Sequence, residues 1–96
     1  MAYVVTALWG AKDGEEEAVR RILETLAPLC LAEPGCRQFT IHRSTEDPRL
    51  FLLYEQYDDE AAFEAHAASE HVERHVRGEA VPLLERRERS FYVTLD

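Results

Sequence analysis

The chain has 96 residues, with 19 Asp and Glu against 11 Lys and Arg and a formal net charge of −8. That length predicts one domain, residues 1–96, with a modest core of its own, and the acidic balance argues against nucleic acid, whose phosphates demand clustered Lys and Arg. No apolar run approaches the roughly 18 residues of a membrane span, and no basic-then-apolar leader opens the chain, so the expectation is a cytoplasmic protein with no membrane partner and with Cys30 and Cys36 as free thiols.

Tyr3 to Trp9 is rich in β-branched and aromatic residues and predicts a first strand. Asp13 with Glu16 three residues on has the form of a capping box for a first helix. Val19, Ile22, Leu23, Leu26 and Cys30 then follow at helical spacing, Pro28 should kink the last turns, and Pro34-Gly35 stops them. Cys36 to Arg43 reads as a second strand, Ser44 to Pro48 as a polar turn, and Leu50 to Tyr57 as a third strand. Asp58 or Asp59 caps a short helix through His66, and Ser69 caps another with Val72, Val76 and Leu83 on one face. The basic run Arg86-Arg87-Glu88-Arg89 is read as a solvated helix end, and Ser90 to Leu95 as the fourth strand. The order is βαββααβ. The first and third strands are apolar on both parities, whereas a strand with one wet face should alternate. Helices cover one face of a four-stranded antiparallel sheet, so a second copy of the same sheet is expected on the other, with Leu52 a candidate interface position.

Few residues have the character to carry chemistry. His66 shares a helix face with Ala62 and Phe63, and an ordinary imidazole pKa suits a general base near neutrality; a packing or capping histidine fits the same spacing. His71, in the first turn of the next helix, would be disfavoured as a cation there, so a neutral, hydrogen-bonding histidine is expected. His71 and His75 have a spacing that can chelate metal, but no third ligand is positioned by sequence and no metal site is expected. Tyr57 and Phe63 either sandwich a planar ring or join the third strand to its helix. Glu55, between Leu53 and Tyr57 on one strand face, is a carboxylate among apolar neighbours, and should be paired with an arginine or line a pocket. Nucleotide-binding loops and the nucleophile elbow are absent.

Several of these residues form a pattern. Tyr54-Glu55-Gln56-Tyr57, the acidic turn from Asp58, then Phe63, His66 and Ser69-Glu70-His71 fall in one run, and Glu33-Pro34-Gly35-Cys36 forms a turn upstream. This arrangement resembles the antibiotic biosynthesis monooxygenase family of small ferredoxin-like proteins, across nearly the whole chain. The resemblance implies a ferredoxin-like α+β fold paired into a dimeric α+β barrel. It also implies a monooxygenase that oxidises a quinol- or anthrone-like aromatic without a bound cofactor. On that reading His66 is the base and His71 the second candidate. Tyr57 bonds the developing oxyanion, and Phe63, Leu53 and Glu55 contact the substrate; Tyr57 stands where many relatives have Trp. The family's haem-degrading branch uses an Asn, a Trp and a His. This chain has no Asn, and its only Trp is Trp9 on the first strand, so haem is not expected. Two other functions remain in view, an isomerase of a small carbonyl or phosphorylated sugar-like metabolite and a non-catalytic dimeric ligand-binding domain.

Overall fold

Strand β1 spans Tyr3–Ala11, helix α1 Glu16–Leu31, β2 Cys36–Arg43, β3 Leu50–Tyr57, α2 Glu60–Ala67, α3 Val72–Ala80 and β4 Leu84–Val93, in a computed structural model that describes all residues from Met1 to Asp96. The strands form one antiparallel sheet in the order β2-β3-β1-β4. This is the ferredoxin-like α+β arrangement that the order of elements predicts. No helix is long and apolar enough to cross a membrane.

Register decides which residues meet the helices. Val5 pairs with Glu55, Ala7 with Leu53 and Trp9 with Phe51, so these six share a face. Trp9, Phe51 and Leu53 are buried there against Val19, Leu23, Leu26 and Cys30 of α1 and Val72, Val76 and Ala80 of α3. A large side chain buried in this way contributes about 1.5–3 kcal/mol. Val5, Tyr57 and Phe63 make a second, smaller cluster under α2. On the opposite face Leu8 pairs with Leu52 and Thr6 with Tyr54, while Tyr92 lies beside Val4. Nothing in the chain covers that side, and Leu52 and Tyr92 are 36% and 54% exposed.

Three local expectations change. Helix α1 begins at Glu16 with no side-chain cap, because Asp13 and Gly14 form a turn in which Gly14 takes φ 84°, a conformation suited to glycine. The helix continues through Pro28 to Leu31. The run Arg86 to Arg89 is part of β4 rather than a helix end, since its backbone completes the sheet beside β1. Helix α3 is a π-helix, wider than an ordinary helix, and its buried residues Val72, Val76 and Ala80 recur every four positions. Elsewhere the expected signals act as read. Asp59 accepts from the Ala62 N–H at 2.9 Å to cap α2, and Cys30 and Cys36 are free thiols.

Gly35 holds α2 against the turn before β2. A Cβ at this position would lie 2.5 Å from the Cβ of Ala62, so any larger residue must push α2 outward. Gly35→Ala is expected to cost about 1–3 kcal/mol, the scale of overpacking. Urea unfolding should show a lower midpoint at unchanged slope; an unchanged midpoint would mean that α2 does not depend on this contact.

Candidate active site

A cavity of about 50 Å³ opens between the sheet and helices α2 and α3. Its apolar wall includes Trp9, Leu53 and Phe63, and its polar groups include Glu55 and His66. Both polar residues are nearly buried, at 5% and 8% exposure. Strand β3 delivers Glu55 and Leu53 from below, because odd positions of that strand face the helices. The capped start of α2 brings Phe63 and His66, one turn apart, over them from above.

The polar groups form a chain. The Tyr57 hydroxyl donates to Glu55 Oε1 at 2.6 Å. The same oxygen lies 3.7 Å from His66 Nε2. On its other side, His66 Nδ1 donates to Glu33 at 3.0 Å and 3.1 Å from its two carboxylate oxygens. A carboxylate only accepts, so the proton belongs on Nδ1 and the Nε2 lone pair faces Glu55. His71 Nε2 also donates to Glu33 Oε2. One carboxylate, in the turn after α1, thus orients two imidazoles from two helices. Ser69 ties the helices further, donating to the His66 carbonyl at 2.7 Å and accepting weakly from the Val72 N–H.

Burial sets the protonation states. It lowers His66 below the ordinary imidazole value, although Glu33 pulls the other way. Burial raises Glu55 to about 7, while the Tyr57 hydrogen bond and the positive charge of Arg89 restrain the rise. Burial, with the neighbouring charge of Glu55, pushes the Tyr57 phenol well above its usual value, so it remains a donor. A neutral imidazole beside a carboxyl that is half protonated at pH 7 is an acid–base pair whose members have been pushed toward opposite roles.

Tyr57, Phe63 and His66, expected to meet in one cavity, pack their rings together, but only Phe63 and His66 line it. Their ring centroids lie 5.6 Å apart for Tyr57–Phe63 and 5.1 Å for Tyr57–His66. Phe63 and His66 line the cavity together with Leu53 and Glu55; Tyr57 lies beneath them, fully buried, with its hydroxyl given to Glu55. His71 does not line the cavity and stands behind His66 through Glu33. Within the chain Glu55 takes its hydrogen bond from Tyr57 rather than from an arginine, while the charge of Arg89 reaches it from β4. Glu33 is the group that the sequence reading missed: it lies 33 residues before His66, and its presence in the Glu-Pro-Gly-Cys turn was the only signal.

Glu33 also bears on metal binding. Its carboxylate, the Cys30 thiol, His66 and His71 place one donor atom each within 4.8 Å of one another, a set of the kind that zinc accepts. Both histidines already donate to Glu33, and burial pushes the Cys30 thiol up, away from the thiolate that a metal needs. The cluster is accounted for by its own hydrogen bonds. His75, weighed with His71 as a chelating pair, bonds Glu79 at 2.8 Å instead.

A four-stranded antiparallel sheet, roofed by helices over a small cavity that holds a buried carboxyl and an imidazole, defines a class: ferredoxin-like α+β proteins with a pocket between sheet and helices. Within that class this chain belongs to the antibiotic biosynthesis monooxygenase family, whose model matches residues 1–78. PA3566 from Pseudomonas aeruginosa is 34% identical with a TM-score of 0.91, over 99% of this chain and 95% of that one. Rv0793 from Mycobacterium tuberculosis is 25% identical with a TM-score of 0.91, over 100% and 97%. A structure named antibiotic biosynthesis monooxygenase shares the fold, with a TM-score of 0.91 at 23% identity over the full length of both chains. None of the curated proteins matches this chain.

Proposed function

We propose that this protein is a monooxygenase that oxidises an electron-rich aromatic of the quinol or anthrone type with O₂ and no bound cofactor. The observation that carries the reading is the pairing of His66 and Glu55, 3.7 Å apart with oppositely shifted pKa values, inside an apolar cavity of a chain in this family. His66 Nε2 takes the proton from the substrate. Glu33, bonded to Nδ1, orients the ring and stabilises the imidazolium that forms. Protonated Glu55 donates a hydrogen bond to the substrate oxygen on which negative charge develops, and Phe63 and Leu53 hold the ring. Tyr57 is a positioning residue: by occupying Glu55 Oε1 it leaves the other carboxyl oxygen to carry the proton. His71 acts through Glu33.

The chemistry balances without a further reductant. An anthrone-like CH₂ loses a proton to His66, and the delocalised carbanion passes one electron to O₂. The resulting radical pair joins as a carbon–oxygen bond, and protonation gives a hydroperoxide. Loss of water leaves the ketone, so one oxygen atom stays on carbon and the other departs with both hydrogens. The test is oxygen uptake with hydroquinone or anthrone by metal-free protein. Uptake no faster than the uncatalysed rate overturns the reading. The same acid–base pair would also serve an isomerase that enolises a carbonyl, and exchange of substrate protons with deuterated water, without oxygen uptake, is the result that would favour it.

The functional unit on this reading is a homodimer formed through the open sheet face that carries Leu8, Leu52, Tyr54 and Tyr92.

The mechanism fixes a pH profile. His66 must be neutral, so the rate rises through its lowered pKa. Glu55 must be protonated, so the rate falls again near pH 7. Tyr57→Phe keeps the ring and removes a hydrogen bond that lowers the Glu55 pKa, so the alkaline limb should move to higher pH while the maximal rate falls less than 10-fold. A log-rate plot with an unmoved alkaline limb would separate Glu55 from that step.

A further inference from the structure

We propose that the substrate carries an anionic oxygen group, a carboxylate or a phosphate, and that Arg87 and Arg89 at the cavity mouth, helped by Arg77, bind it. The proposal rests on the reading of this cavity as the substrate site and names the kind of molecule that enters it.

Three arginines around one small cavity is an unusual concentration in a chain with a net charge of −8. Their position follows from β4. Arg87 pairs with Trp9 and Arg89 with Ala7, so both lie on the helix side of the sheet, where the cavity opens. Arg77 comes from the facing helix α3 and also lines the cavity. These guanidinium groups are close enough for Arg89 and Arg77 to disfavour the charge on Arg87, added to the cost of its partial burial.

Of the seven arginines outside the cavity, all but Arg21 and Arg74 are paired with a carboxylate: Arg20, Arg37, Arg43, Arg49 and Arg86. Arg77 holds Glu73 at 3.0 Å and gives its other nitrogen to the Ala67 carbonyl at 2.9 Å, so its head is fixed at the rim. Arg87 and Arg89 form no ion pair, although Asp and Glu outnumber Lys and Arg in this chain. Arg89 instead stacks over the rings of Phe63 and Phe91, at 5.5 Å and 5.3 Å from their centroids. Phe63 is itself a cavity wall. A guanidinium held over that wall by ring contacts rather than by a carboxylate keeps N–H groups for a ligand whose ring contacts the same phenylalanine.

Two converging, unpaired arginines match the paired oxygens of a carboxylate or phosphate. The net charge of −8 disfavours the approach of such a ligand in general, and Glu88, which also lines the cavity, is held by Arg86, so the local positive field of the arginines directs entry. The ring would then lie inward against Phe63 and Leu53, with its reactive end toward His66 and Glu55 and its anionic end toward β4.

The test compares matched ligands by equilibrium binding, using calorimetry or the fluorescence of Trp9 in the cavity wall. Hydroquinone is the neutral probe, gentisate its ring-carboxylated analogue, and phenyl phosphate is compared with phenol. Anionic members should bind on the order of 10- to 100-fold more tightly, the scale of one or two charge-assisted hydrogen bonds, and the advantage should shrink as salt rises. Preference for gentisate alone identifies a carboxylate, and preference for phenyl phosphate alone a phosphate. Arg87→Gln, which removes no ring contact, should erase most of the preference while leaving the neutral ligand unaffected. The Arg87→Gln, Arg89→Gln pair should erase all of it, and the Lys pair should restore part. Equal binding of neutral and anionic probes, or no binding of either anion, overturns the proposal. Oxygen uptake is scored separately: tight anion binding without uptake defeats the monooxygenase reading and leaves this one standing, and uptake without anion preference does the reverse.

Discussion

Replacing His66 with alanine is expected to lower oxygen uptake by on the order of 10²-fold or more, the usual scale for losing a general base. The argument lies in how the ring is held. Glu33 fixes Nδ1 at 3.0 Å, and the ring packs 5.1 Å from Tyr57, so Nε2 has one direction in which to face. A residue that only packed there would not need its second nitrogen turned toward a carboxyl in a cavity. Alanine removes the base and leaves a hole, which gives the experiment a second readout. Free imidazole added to His66→Ala should recover part of the lost rate if the histidine is the base. It should recover nothing if the substitution merely loosens α2. Circular dichroism and hydroquinone binding, expected to be close to the parent values, separate loss of chemistry from loss of fold. A fall of less than about 3-fold would shift the base assignment to Glu55.

The second large effect concerns assembly. The parent protein should sediment at about twice its 11.1 kDa chain mass at micromolar concentration, and Leu52→Glu should dissociate it. Leu52 is the centre of the open face, paired with Leu8 on β1 and flanked by Tyr54. A stable pairing of sheets buries about 800 Å² per partner, and a carboxylate left unpaired in such an interface costs several kcal/mol. That cost corresponds to a dissociation constant weaker by on the order of 10³-fold. Because Leu52 points away from Trp9, Phe51 and the helices, the separated chain should keep its helical signal. Parent protein that sediments as a monomer near the chain mass would end the argument.

How much could be read in advance depends on where each signal is written. The second and third strands appear at their predicted limits, because Cys36 to Arg43 and Leu50 to Tyr57 combine strand-forming residues with turns on both sides. Helix α2 is legible from Asp59, whose side chain does what a cap does. The start of β4 is not legible: Leu84 to Arg89 has no alternating apolar residues, since an edge strand with arginines at a cavity mouth does not need them. The π-helix is equally hidden, because apolar residues four apart fit an ordinary helix as well. His66, Phe63, Leu53 and Glu55 could be named as cavity residues because one local run contains them. Glu33 could not be given its role, since its contact with His66 exists only after the turn behind α1 folds beneath α2. The cluster with Cys30 escaped for the same reason. Pairing His71 with His75 followed sequence spacing, whereas the fold pairs His71 with a residue 38 positions away.

The π-helix has one further consequence. Each of its hydrogen bonds encloses one residue more than an α-helix would, so the roof of the cavity contains slack that the sheet does not. Deleting a single residue between Val72 and Arg77 would let that stretch close as an ordinary α-turn, and because the turn itself needs one residue fewer, the residues after the cut would keep nearly their present direction. Val76 would stay in the cavity wall and Arg77 at its rim, with no change in any strand. The roof of the pocket can therefore lose a residue that the sheet beneath it could not spare.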